Sequence, residues 1–150
     1  MPITLTHAGL RFFAASSEQL VSAGVPAEIV LAAVKEVRKA EIDDEAERQR
    51  LRWITGGAGQ AMTYTRKVEQ ARAALAAADP QLADYPLLAA SIGIDGPDIV
   101  SVANVVVGMD AAWEQIGAAI ESARLAAKQA IAGAPDEAAV LVVQPVWPSV

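Results

Sequence analysis

From Ile99 to Ala130 the apolar positions of the chain step by three and four without a miss. They are Ile99, Val102, Val106, Met109, Trp113, Ile116, Ile120, Ala123, Ala127 and Ala130. A helix is the element that keeps such a set on one face. Asp95 or Asp98 can cap its start, with Pro97 near the first turn, and Gly133 and Pro135 mark its end. A helix over residues 97–132 would be on the order of 50 Å long, more than a compact domain of this size needs. The stripe also thins along its length, from Trp113 and Ile116 to Ala123, Ala127 and Ala130. Hydrophobic residues make up 53% of the chain, but aromatics only 5%, and alanine dominates the rest. At roughly 25 cal/mol per Å² the small alanine surface contributes little burial. Such an arm would be steadier in a bundle with other chains.

A second helical pattern precedes it. Ala61, Tyr64, Val68, Ala71, Leu75 and Ala78 follow the same spacing, and Asp79-Pro80 ends the run. Upstream, Pro26 suits a first helical turn, and Val30, Val34 and Val37 begin a stripe that Ile42, Ala46 and Trp53 extend less regularly. Residues 41–52 are densely charged, with Asp44/Arg48 at i,i+4 and Glu45/Arg48 and Glu47/Arg50 at i,i+3. Gly56, Gly57 and Gly59 interrupt this pattern, either as a turn or as a close backbone approach within one long helix. The first dozen residues alternate as strands do, with Ala8-Gly9 placed to turn the chain. Ser16 then caps a short helix that Gly24 ends. At the other end Val140–Val143 is β-prone, followed by Pro145, Trp147 and Pro148.

These patterns predict an all-α protein: an elongated antiparallel helical hairpin, with coiled-coil arms over 41–78 and 97–132 and short extended N- and C-terminal segments. Three regions follow: an N-terminal attachment region at 1–40, the long hairpin at 41–135, and an extended C-terminal docking tail at 136–150. Tyr64, Val68, Leu75, Val106, Met109, Trp113, Ile116 and Ile120 are the expected interface residues of the arms. Trp147, held extended by its flanking prolines, is the expected anchor of the tail.

Composition narrows the chemistry. A net charge of −6 opposes general nucleic-acid binding, which rests on phosphate neutralisation. With no cysteine, disulfides, thiolate metal sites and a cysteine nucleophile are excluded. No uncharged apolar run reaches a membrane span, and the first residues lack the basic start and apolar block of a signal peptide. His7, the single histidine, has no acid beside it. Asp43, Asp44, Glu45 and Glu47 are interleaved with Arg48, Arg50 and Arg52, which favours a solvated ion-pair face over a convergent carboxylate site. Gly56-Gly57-Ala58-Gly59 lacks the Lys-Ser/Thr of a phosphate loop and follows a charged helix, not a strand. Arg48, Arg50, Arg52, Arg66, Lys67 and Arg72 make the middle locally basic, but neighbouring acids nearly balance them. No catalytic, cofactor-binding or metal residues are predicted.

Three segments resemble small tail proteins of tailed bacteriophages and prophages: ITGGAGQAMTYTRKVEQAR from Ile54, DYPLLAASIGI from Asp84, and VANVVVGMDAAWEQIGAAIESARLAAKQAIAGA from Val102. The family pattern is I-T-x-G-x-G-Q-x-x-x-Y before a K-x-x-E-A helix, then Y-P-x-L, then a helix carrying W-x-x-x-x-x-x-I-E-x-x-R. Ile54, Thr55, Gly57, Gly59, Gln60, Tyr64, Lys67, Glu69 or Gln70, Ala71, Tyr85, Pro86, Leu88, Trp113, Ile120, Glu121 and Arg124 carry it, within residues 41–133. Gly56 stands where the pattern has proline. The resemblance implies a non-enzymatic structural protein of the virion tail, in the fibre or baseplate region, made in the host bacterial cytoplasm. It implies a homo-oligomer, with a trimer the expected form, contacting other phage tail proteins. A tail-fibre assembly chaperone not retained in the virion is the alternative. Residues 1–40 lie outside the resemblance.

Overall fold

A computed structural model describes residues 1–149. The chain is mostly helical, at 64%, with one small antiparallel sheet. It is therefore not all-α: the alternating start forms β1 (Ile3–His7) and β2 (Leu10–Ala15). Among the described residues six helices follow: α1 (Ser17–Ser22), α2 (Ala27–Arg50), α3 (Ala58–Ala76), α4 (Pro86–Ala89), α5 (Ile99–Gly133) and α6 (Glu137–Leu141), with a 3₁₀ turn at Leu82–Asp84. The chain divides into two compact units. One comprises Met1–Gln49 and the chain from Ala119 onward, the other Arg50–Ala118. The anticipated boundary at 40/41 falls inside α2.

In the first unit the hairpin is set by sequence. His7 and Leu10 pair across a two-residue turn in which both Ala8 (φ 47°) and Gly9 (φ 78°) are left-handed, the geometry that matches strand twist. Between Ile3/Ala15 and Leu5/Phe12 the pairing slips by one residue. There Ala14 adopts φ 49°, and its N–H is satisfied by the Thr4 hydroxyl at 3.2 Å, which makes a β-bulge. The Ser16 hydroxyl and the Gln19 side chain cap α1 reciprocally. Ile3, Leu20, Val30, Val34 and Ile42 meet Ala127, Ile131 and Val140 in one core, with Leu5, Phe12 and Trp147 packed against it. The hairpin thus finds in the helices the support that two strands alone lack. Lys35 donates to the Ala132 carbonyl at 2.9 Å, and Asp43 accepts from Arg124 and Lys128. Rising numbers on α2 meet falling numbers on α5, so the two run antiparallel here.

In the second unit Ala71, Ala74, Leu88, Ile99, Val102, Ala103 and Val106 form a smaller core. The predicted 41–78 arm is not one helix. It breaks between Arg50 and Ala58, where Gly57 takes φ 115°, a backbone state that L side chains rarely adopt. The glycines make a turn. Helix α5 is the longest element, as its stripe predicts, and Asp98 caps it by accepting from Ser101 N–H at 2.7 Å.

The expected extended tail departs from prediction over Glu137–Leu141, which is helical. Asp136 accepts from Ala139 N–H as an N-cap, and this cap with Ala138-Ala139 overrides the β preference of the valines that follow. Left-handed alanine is costly at Ala8, where asparagine is not. Ala8→Asn is expected to stabilise the chain by about 1 kcal/mol, read as a higher urea midpoint at unchanged slope.

Candidate functional site

The nine predicted interface residues fall into three classes. Val106 and Ile120 are buried in the protomer. Val68, Trp113, Ile116 and Trp147 are half-buried. Tyr64, Leu75 and Met109 are exposed, Met109 at 62%. The stripe of α5 is therefore closed up to Val106 and left open at Met109, within the second unit. The opening turns of α3, from Ala58 to Arg66, have no buried face at all, and Met62 and Tyr64 stand out from them.

Trp113 does not reach full enclosure against the 64–75 stripe. Its ring lies along its own helix, 3.5 Å from where a Cβ on Gly117 would stand. Its half-burial owes something to the absent side chain at 117. At the far end of α5 the buried position shifts from Ala130, which is exposed, to Ile131. A straight helix drifts by roughly 20° per heptad against a strict repeat, enough to bring the next residue onto the face.

Trp147 and Val143 pack against the first core, and Val140 is buried within it. The Val143 carbonyl accepts from Arg38 Nη2 at 3.0 Å, while Arg38 Nη1 donates to Glu41 and Glu45. Burial alone depresses the Arg38 pKa; the hydrogen bonds to Glu41 and Glu45 outweigh it and leave the pKa raised. Sequence periodicity could not single out Arg38, because its partners come from its own helix and from more than a hundred residues downstream.

The charged segment of α2 is more than a solvated face. Asp43 accepts from Lys128 at 2.6 Å and from Arg124 at 2.7 Å, and Arg124 also holds Glu121 through two bonds. The Arg124/Lys128 spacing of four on α5 was the available signal. In the second unit Lys67 joins Ser91 and Asp95, and the Gln70 side chain accepts from Leu87 N–H. Several residues that carry the family resemblance, Lys67, Gln70, Ala71, Leu88, Glu121 and Arg124 among them, thus act as ties or core in this chain.

Among the described residues no group of three His, Asp or Glu converges as a metal site requires. No helix among them is long and apolar enough to cross a membrane. No family model, curated protein or solved structure matches this chain.

The hydrogen bond from Lys128, opposed by desolvation and reinforced by Arg124, holds Asp43 below its ordinary 3.8. Its contribution is complete above that value and is lost as pH falls through the depressed native one. Asp43→Asn should flatten the acid limb of the stability curve below about pH 4. At neutral pH its effect should be at most about 1 kcal/mol, because the carboxylate is 44% exposed. Trp113→Ala should cost about 1–2 kcal/mol by denaturant melt, less than the 3–5 of an enclosed aromatic.

Proposed function

We propose that the chain is a non-enzymatic structural component of a bacteriophage tail, in the fibre or baseplate region. It acts by helical self-association and by contact with other tail proteins. The observation that carries the reading is the unfinished stripe of α5: beyond Val106 the same periodic face continues through Met109, Trp113 and Ile116 without being closed. Apolar side chains continued in register past a core are what a partner helix covers. The resemblance of residues 41–133 to small phage tail proteins supplies the setting, the virion tail, and favours a homo-oligomer with three-fold symmetry. Coiled-coil arms would then be a property of the assembly, formed when copies lay α3 and α5 against each other.

Stoichiometric recovery of the protein by mass spectrometry of purified phage particles is the expected result. Presence in infected or induced cells but absence from particles would replace this reading with that of a tail-fibre assembly chaperone. For the interface, the double variant Tyr64→Lys/Met109→Lys should lose self-association by light scattering while keeping its far-ultraviolet circular dichroism. Association that survives both lysines would remove this face from the proposal.

A further inference from the structure

The hairpin has two outer edges, and they are built differently. The edge of β2 carries a charge at Arg11 and the bulge at Phe13-Ala14 with its left-handed Ala14, both devices that deter strand addition. The edge of β1 carries neither. Its five residues, Ile3-Thr4-Leu5-Thr6-His7, include three β-branched side chains, no proline and no acidic or Lys/Arg residue. Among the described residues no backbone hydrogen bond from outside the hairpin reaches it.

Pairing sets which groups are free. A two-residue loop closes on a hydrogen-bonded His7–Leu10 pair, so the alternation of an antiparallel ladder turns Leu5 toward Phe12 and Thr6 away. Thr4 and Thr6 therefore present their N–H and C=O groups outward. Their side chains are exposed, while Ile3 is buried and Leu5 half-buried on the core side.

We propose that the β1 edge is a self-pairing site for a second copy of this chain. The strands join antiparallel about Leu5, so that the two hairpins form one four-stranded sheet. The sequence is complementary to itself in that register. Thr4 faces Thr6 of the second copy in a hydrogen-bonded pair, twice by symmetry, giving about four main-chain hydrogen bonds. Threonine pairs stack on the outer face, where such pairs are favourable, and Leu5 meets its own copy at the centre on the core face. No like charges are opposed. The sheet closes at two hairpins because its outer strands are then the bulged β2 edges. The self-complementarity of Thr4-Leu5-Thr6 about its centre, with no charge to oppose a copy of itself, commits the occupant to another β1. The inference stands on the hairpin alone and is independent of the tail assignment and of the helical face in the second unit.

The test exploits the direction of the Thr6 N–H. Proline at an outward-facing position leaves the β1–β2 ladder intact and removes a donor from the edge. Thr6→Pro should halve the assembly mass measured by sedimentation, with unchanged circular dichroism, whatever the helices do. A single cysteine can be placed without competition in this cysteine-free chain. Leu5→Cys should give a disulfide-linked dimer on mild oxidation, because the non-hydrogen-bonded central pair brings the two copies close. Leu10→Cys on β2 should not. Unchanged mass in a folded Thr6→Pro protein, or no more cross-linking at Leu5→Cys than at Leu10→Cys, overturns the proposal. Should Thr6→Pro fail to fold, the comparison of the two cysteine variants decides alone.

Discussion

Both hydrophobic cores draw on a single helix. Ile99, Val102, Ala103 and Val106 from the start of α5 enter one core, and Ala127 and Ile131 from its last turns enter the other. α5 runs unbroken over 35 residues and supplies side chains to both. The sequence protects that continuity: an aspartate cap at the start, no proline inside, and the terminal carbonyl of Ala132 satisfied by a lysine from α2.

Beside the two apolar cores, charged ties supply part of the specificity of packing. Arg38 is the clearest case. Its side chain is nearly buried, and it spends two donors on carboxylates of its own helix and one on the Val143 carbonyl. A buried guanidinium with fixed partners adds modest net stability, but it penalises any packing that leaves it unpaired. The Asp43–Arg124–Lys128 group acts in the same sense with more solvent around it, and so with less energy.

Periodic segments were legible in the sequence because one constraint, a repeating buried face, acts on many residues at once. The length of α5 and the alternating hairpin carry such signals, and the Ser16 cap was legible as a local motif. Features that depend on a single contact were not. The glycine cluster at 56–59 admitted two readings until the φ of Gly57 made it a turn. The 137–141 helix hid behind valines whose β preference a single aspartate cap overrides. Asp95 and Asp98 were equivalent as caps; Asp98 holds the helix and Asp95 is taken by Lys67. The interface set was legible as a periodic face. Which members the protomer itself consumes was not, because Val106 and Met109 differ only in what stands opposite them.

The placement of the indoles has a spectroscopic consequence. Of the three tryptophans, Trp53 and Trp113 belong to the second unit, as do both tyrosines, Tyr64 and Tyr85. The first unit holds Trp147 alone, half-buried against its core. Fluorescence from that unit is therefore a one-emitter signal with no tyrosine of its own to feed it. Replacing Trp53 and Trp113 with phenylalanine would leave an optical reporter confined to the C-terminal strap and the core it covers, so that local opening there becomes visible apart from unfolding elsewhere in the chain.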